Sequence, residues 1–331
     1  MSKKTILVTG GAGYIGSHVV RQLGEAGENV VVLDDLSTGF RQAVLHGELV
    51  VGNTGDRQVL ESLFNRYSID TIMHFAAHTI VPESVSDPLK YYGNNTCASR
   101  TLLEFALRAQ VKHVVFSSTA AVYGIPADGE ASEDTPTAPI NAYGMSKLMT
   151  EWMLRDVAAV NPLSYVALRY FNVAGADPSG RIGQATAKAT LLTKVACEVV
   201  TGKRDYVSIF GTDYATPDGT GVRDYIHVED LADAHLKALV YLRGGGQSTT
   251  LNCGYGRGYS VRELITMVET VAGHEIAKRE APRRAGDPPS LIANARLIRD
   301  TLGWRPKHDD LRTIVTTALT WERKLAAGIW R

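Results

Sequence analysis

Residues 9–16 read Thr9-Gly10-Gly11-Ala12-Gly13-Tyr14-Ile15-Gly16 and directly follow the apolar run Thr5–Thr9. Such a run, cut by closely spaced glycines, reads as a strand that turns sharply into a helix. There, backbone N–H groups can approach a pyrophosphate. A glycine-rich turn alone is common in loops and can bind nothing. Here the second apolar run, Asn29–Leu33, ends in Asp34, and strand, glycine turn, helix and terminal acid in that order make a dinucleotide fingerprint. The Asp34 carboxylate can accept from an adenosine ribose hydroxyl and would repel a 2′-phosphate. Asp35 adds negative charge and no Arg follows immediately, so the pattern favours NAD over NADP.

Working outward, Glu48–Val51, Thr71–Phe75, His113–Ser117 and Tyr165–Tyr170 are further short, β-branched apolar runs separated by helix-length segments. Strands that are apolar on both faces need crossover connections and helices on either side. The expected fold is α/β, a Rossmann-type doubly wound parallel sheet with a smaller C-terminal α/β substrate lobe. After Asn172 the rhythm loosens into loops rich in Gly, Pro and Asp, around Ala176–Gly183 and Gly211–Gly221, and a basic stretch Lys278–Pro289. Glu229–Leu242 still reads as a helix and Thr250–Cys253 as a buried strand returning to the large sheet. The expected division is therefore 1–173 with 227–255 for the dinucleotide, and 174–226 with 256–331 for the substrate.

The chain has 331 residues, enough for a large core, and Lys plus Arg balance Asp plus Glu at 35 each. No global field favours nucleic acid or an anionic membrane, which leaves a small molecule as the expected partner. Cys97, Cys197 and Cys253 lie far apart without a CxxC or Cys/His cluster, so neither a disulfide framework nor a metal site is expected. Gly10, Gly11 and Gly13 cut short any signal-like run, and no stretch approaches the roughly 18 apolar residues of a membrane helix. A soluble, cytoplasmic protein is the expectation.

Tyr143 and Lys147 stand four apart near the start of a segment, Tyr143–Val160, that reads as a helix, so both project from one face. An ammonium beside a phenol would stabilise tyrosinate and make it a general base. With fourteen tyrosines in the chain, such a spacing also arises by chance as a surface pair. The stretch Ser117-Ser118-Thr119-Ala120-Ala121-Val122-Tyr123-Gly124 ends the fifth strand at the sheet edge where such folds bind ligands. Ser118 and Thr119 offer hydroxyls there that can hold a reacting oxygen, although strand-end Ser and Thr often only cap turns.

Taken together, these stretches resemble the extended short-chain dehydrogenase/reductases, and within them the UDP-glucose 4-epimerase family. The match extends through His74-Phe75-Ala76-Ala77, Pro82-Glu83-Ser84, Tyr91-Tyr92-Gly93-Asn94-Asn95, Arg169–Asn172, Asp218–His227 and Ala281–Asp287. The resemblance implies Tyr143 as general base and acid, Lys147 as its tuning cation and Thr119 as the hydroxyl partner. For NAD it implies Gly10, Gly13, Tyr14, Ile15, Gly16, Asp34, Asp35, Asn53, Phe75, Ala76, Asn95 and Tyr170, together with Tyr143 and Lys147. For the sugar nucleotide it implies Ser118, Thr119, Tyr143, Asn172, Thr190, Phe210, Arg223, Arg284, Asp287 and Leu291. Of these, Leu291 matches a wall position whose bulk separates members limited to plain hexoses from those that accept N-acetylated ones. Arginine forks suit pyrophosphate oxygens, yet Arg283 and Arg284 read alone would be a solvated basic run. Three positions depart from the family pattern: Asn53 replaces an Asp, Thr79 a Lys found in some members, and Thr190 an Asn or His.

By that resemblance, the expected reaction interconverts UDP-glucose and UDP-galactose through transient C4 oxidation with tightly bound NAD. A 4,6-dehydratase or uronate decarboxylase would place acidic residues beside the Thr, where this chain has Ala120 and Ala121. A non-catalytic NAD-binding module on the same fold would commonly lose the Tyr-Lys pair. The apolar stripes Leu102, Leu103, Phe105 and Leu148, Met149, Trp152, Met153, on segments Tyr91–Arg108 and Met145–Val160, read as core by default. In relatives such helices pair across a two-fold axis, which implies a homodimer.

Overall fold

A strand that is apolar on both sides must be sandwiched, and β1 (Thr5–Thr9) is buried at every residue. The computed structural model describes residues 4–187, 189–284 and 286–330. After β1 come α1 (Tyr14–Glu25), β2 (Val30–Asp34), β3 (Glu48–Val51), α2 (Arg57–Arg66) and β4 (Ile69–His74). Short helices α3 (Val81–Ser86) and α4 (Pro88–Tyr91) lead through a π-turn, Tyr92–Cys97, into α5 (Ala98–Arg108). Next are β5 (His113–Thr119), β6 (Glu130–Ala131), α6 (Ala142–Val160), β7 (Ser164–Tyr170) and β8 (Asn172–Ala174). The remainder runs α7 (Leu192–Val200), β9 (Val207–Phe210), β10 (Val222–His227), α8 (Val228–Arg243), β11 (Thr249–Cys253) and β12 (Gly258–Ser260). It finishes with α9 (Val261–Ala272), β13 (Lys278–Ala281), β14 (Ser290–Ala293), α10 (Arg296–Leu302) and α11 (Leu311–Ala326).

Seven strands form one sheet in the order β11-β7-β5-β4-β1-β2-β3, parallel throughout. Alternation along β1 shows why the run is continuously apolar: Ile6 and Val8 join the core under α1 and α8, while Leu7 joins the one under α2, α5 and α6. The expected doubly wound α/β fold is the observed one. Strand limits shift by one or two residues; β4 begins at Ile69, and β5 runs on to Thr119.

A second sheet, ordered β12-β10-β14-β6 with β8 also on β10, gathers the later part of the chain, and β9 pairs with β13. The chain passes between sheets at Phe171, leaving the first as Tyr170 and entering the second as Asn172 opposite Tyr225. Among the described residues no helix is long and apolar enough to cross a membrane. Tyr91–Arg108, expected as one helix, is broken by the π-turn, which rotates the following residues and delivers Asn95 inward, where it is 2% exposed. Leu102, Leu103 and Phe105 then sit in the core.

α1 and α8 are riveted by a buried carboxylate. Glu229 accepts from His18, Arg21 and Gln22 of α1. Burial works against its charge, but these partners hold it down to about 2. A carboxylate depressed in the fold stabilises above its unfolded value and loses that contribution as pH falls through the folded one. The fold is therefore expected to lose about 3 kcal/mol between pH ~4.5 and ~2 from this group. In Glu229→Gln, denaturant melts should show lower stability at pH 7 and a flatter acid slope; an unchanged slope would remove Glu229 from that role.

Candidate active site

Sheet order reverses beside β1: β2 and β3 lie on one side, β4, β5, β7 and β11 on the other. Loops leaving the carboxyl ends of β1 and β4 therefore diverge and leave a crevice between them. Gly10 lies at its lip with φ +70°, and a Cβ there would stand 2.6 Å from the Ala76 nitrogen. A Cβ on Gly16 would stand 2.2 Å from the Gly10 oxygen, so helix and turn touch backbone to backbone. At Gly13 a Cβ would meet one atom within 4 Å, the Gly10 oxygen at 3.3 Å, so the open side of the turn is here.

Gly13 is also the N-cap of α1 and supplies no side-chain cap. Asn141 caps α6 and Asp56 caps α2, whereas the first turn of α1 presents its amides to a ligand. Asp34 accepts from Ala12 N (2.9 Å) and Leu36 N (2.8 Å), which fixes the turn against the end of β2. Burial raises its carboxyl above the ordinary value, opposed by those amides. Asp35 is exposed, bonded to Ser37 and to Asn53 Nδ2 (3.1 Å). Asn53 thus donates to a neighbour that an Asp would repel, while its Oδ1 accepts from Gly55 N. This glycine cradle, with open amides and an acid at the second strand end, fits a dinucleotide.

The β4 side is braced by a polar relay. Ser99 Oγ donates to the Asn95 carbonyl, so His74 Nε2 must donate to Ser99 (2.7 Å) and Nδ1 must accept from Thr9 Oγ1 (2.6 Å). Burial, with Lys147 nearby, pushes the His74 imidazole down to about 3, so it is neutral. Asn95 accepts from His78 N (2.8 Å) and donates to His78 O and Ser146 Oγ, both 3.0 Å. Its amide shapes the loop after β4. Phe75 packs against His235, with ring centroids 4.7 Å apart. Tyr14 reaches across to donate to the Gly175 carbonyl (2.6 Å), and Ile15 packs on the core.

Tyr143, Lys147 and Glu151 share one face of α6 at four-residue spacing, and all three are buried. Burial raises the Tyr143 phenol above its ordinary value, and the Thr119 hydroxyl lowers it. Sequence reasoning aimed the Lys147 ammonium at that phenol; instead Nζ donates to the Ser117 carbonyl (2.9 Å), 5.0 Å from the Phe116 ring centre. Burial pushes this ammonium down to about 7, opposed by Glu151. Tyr170 hydrogen-bonds Ser117 Oγ beside them, and burial raises its phenol.

Ser118 requires a correction. Alternation along β5 turns it away from Thr119, and its hydroxyl donates to Glu151 on the far side of the strand. There Glu151 accepts from Arg169 Nε (3.0 Å) and Nη2 (2.6 Å), and Arg169 Nη1 donates to Tyr123 OH (2.9 Å). Tyr123 in turn donates to Asn252 Oδ1 (2.7 Å) on β11. Ser117 and this Glu151 network escaped sequence reasoning, because an acid four residues after a lysine reads as an exposed helix pair.

On the second sheet, Arg223 stands opposite Leu291 in register, so the two side chains share a face. Arg223 donates to the Val222 carbonyl (2.8 Å) and has no ion pair among the described residues. Burial lowers its guanidinium, opposed by Asp287. The next residue, Asp224, points inward and accepts from Tyr255, Gly256 and Ala293 amides. Arg284 pairs with Asp287 (3.0 Å) and lies 4.9 Å over the Phe210 ring, which is 38% exposed. Asn172 is half-buried at the start of β8, and Thr190 is exposed just before α7.

Residues 6–254 match the NAD dependent epimerase/dehydratase family. A UDP-glucose 4-epimerase of Azospirillum brasilense is 57% identical over 98% of this chain and 93% of its own length. The solved UDP-glucose 4-epimerase of Brucella ovis in complex with NAD superposes with a TM-score of 0.93 at 42% identity, covering 97% of this chain and 98% of that one. The UDP-Glc/GlcNAc 4-epimerase of Campylobacter jejuni does so with 0.85 at 47% identity, covering 97% and 99%.

Removing one member of a buried ion pair leaves the other unpaired, at a cost of about 3–5 kcal/mol. Glu151→Gln should lower unfolding free energy by about that much, and Ser118→Ala by about 1 kcal/mol. Denaturant titration measures both; a Glu151→Gln loss under about 1 kcal/mol would mean the pair carries little.

Proposed function

Because the chain belongs to the NAD dependent epimerase/dehydratase family, we propose that residues 1–173 with 227–255 hold NAD, while 174–226 with 256–331 hold a UDP-sugar. The chain is an NAD-dependent isomerase, a UDP-glucose 4-epimerase by activity, and UDP-galactose is its second sugar. The observation that carries the catalytic assignment is the buried Tyr143 phenol, lowered by the Thr119 hydroxyl at the carboxyl end of β5, in the same sheet edge as the glycine turn.

NAD would be held by the open amides after Gly13, with Gly10, Tyr14, Ile15 and Gly16 forming the turn. Asp34, Asp35 and Asn53 face its adenosine end, and Phe75, Ala76, Asn95 and Tyr170 shape its nicotinamide end. When bound, NAD would supply a reversible hydride acceptor for C4. Tyr143 takes the C4 hydroxyl proton, and Thr119 holds the sugar oxygen and lowers the phenol. Lys147, tied to Ser117, fixes α6 and adds positive potential. Arg223, Arg284, Asp287, Asn172 and Phe210 hold the UDP part, with Thr190 at the entrance, so that the 4-keto hexose alone turns over.

The chain acts in the cytoplasm, where Cys97, Cys197 and Cys253 stay reduced. It pairs as a homodimer through α6, whose Trp152 is 42% exposed. A one-chain sedimentation mass at micromolar concentration would reject the dimer.

UDP-galactose offered without added NAD should yield UDP-glucose, with NAD copurifying; a strict requirement for added NAD contradicts tight binding. Tyr143→Phe should lower turnover by about 10²–10⁴-fold. Thr119→Val removes the hydroxyl that lowers the phenol, so the acid limb of its pH–rate profile should move to higher pH. A limb that stays put assigns Thr119 to substrate holding alone.

Leu291 is 8% exposed beside Arg223. Its bulk favours UDP-glucose and UDP-galactose over UDP-N-acetylglucosamine. Overpacking costs about 1–3 kcal/mol, roughly one to two powers of ten in rate. Leu291→Ser should raise kcat/KM for the N-acetylated sugar, and Leu291→Tyr should abolish it while sparing UDP-galactose. If the ratio for the two sugars stays fixed in both variants, another residue forms the wall.

A further inference from the structure

The loop after β2 is thin. Asp35, Ser37 and Thr38 are exposed, and Leu36 holds a left-handed φ of 59°, a strained conformation for a branched residue. Its far end nevertheless lies directly on the glycine-rich turn. A Cβ at Gly39 would stand 2.9 Å from the Ala12 carbonyl carbon, and Phe40 N donates to Ala12 O (2.9 Å). Little of the loop's own apolar surface keeps it there.

Phe40 is the exception, and its ring partner comes from the far end of the described chain. Trp330, after α11, meets Phe40 edge to face, with centroids 5.4 Å apart. Trp330 meets Trp321 of α11 in the same way at 5.2 Å. Trp321 is fixed: 2% exposed, it donates through Nε1 to the Gln184 carbonyl (3.0 Å), and a Cβ on Gly183 would stand 2.6 Å from its ring. A line of three rings thus ties a rigid part of the second half of the chain to the thin loop on the dinucleotide turn.

We propose that Trp330 is a positioning residue for NAD: bridging Trp321 and Phe40, it holds the loop Asp35–Phe40 against the glycine-rich turn and slows cofactor release. The proposal rests on NAD binding at that turn. Trp330 acts through Phe40, and the bond from Phe40 N to Ala12 O carries the constraint to the turn. Each edge-to-face pair corresponds to about a two- to tenfold change in an equilibrium or rate.

The test follows exchange of isotopically labelled NAD into the holoprotein after gel filtration. Trp330→Ala should exchange about tenfold faster, and Trp330→Phe, which keeps a ring, should recover most of the difference. Phe40→Ala should speed exchange as well, and the double variant Phe40→Ala/Trp330→Ala should be no faster than the faster single. Affinity for UDP, titrated on the same proteins, should stay within about twofold. Unchanged exchange in Trp330→Ala overturns the proposal while leaving the cofactor assignment standing. Multiplicative effects in the double variant overturn it too, as does a parallel loss of UDP affinity, which marks general loosening. A parent protein that neither retains NAD on purification nor binds it when added overturns the proposal and the reading beneath it.

Discussion

Behind the carboxyl end of β5, Glu151 and Arg169 are 5% and 9% exposed in their side chains. Taking two such charges out of water costs several kcal/mol each and is offset only when their bonding capacity is filled. It is filled here: the carboxylate takes Arg169 twice and Ser118 once, and the remaining guanidinium arm goes to Tyr123. Those bonds join α6, β5 and β7, and through Asn252 they reach β11. Tyr143 and Lys147 sit two turns and one turn upstream on the same helix face, so their placement over β5 follows from where Glu151 is held. Thr119 comes next to Ser118 on β5 and faces the other way.

The second sheet depends on a different constraint, the passage of the chain between two sheets within a few residues. Tyr170 ends β7 beside Ser117, and two residues later Asn172 starts β8 against β10. Alternation along β10 then turns Arg223 to the surface shared with Leu291 and Asp224 inward to three backbone amides. Asp224 thereby fixes β10 to the turn after β11 and to β14. One strand both anchors the second sheet and carries the cation.

Much of this was legible in residue order. The glycine turn and the apolar runs were readable because a strand buried on both faces leaves no room for polar residues. Their ends were less sharp, since backbone pairing extends β5 through Ser118 and Thr119, which composition reads as loop. The π-turn at Tyr92–Cys97 left no mark, for Asn94 and Asn95 suit a helix, a turn or a site equally. Ser118 was misassigned because a hydroxyl at a strand end gives no hint of which face it takes until the register is known. Spacing and resemblance both direct Lys147 to the phenol, whereas its hydrogen-bond partner is the carbonyl of Ser117, on another element. Glu151 was invisible for the same reason: its partners come from strands distant in the chain.

β11 lies at one edge of the central sheet, pairing Thr249–Cys253 with Val166–Tyr170. Its partner β7 is therefore synthesised some eighty residues before the strand that covers it, and at ribosomal rates of about 5–20 residues per second β7 waits for several seconds. During that interval β7 exposes a row of unpaired backbone groups flanked by apolar side chains, the kind of edge that recruits other chains. Parallel pairing across such a sequence distance also closes slowly, since the intervening loop entropy is lost before any contact repays it. The nascent chain thus carries an unpaired, aggregation-prone edge in the middle of synthesis, until β11 is made and covers it.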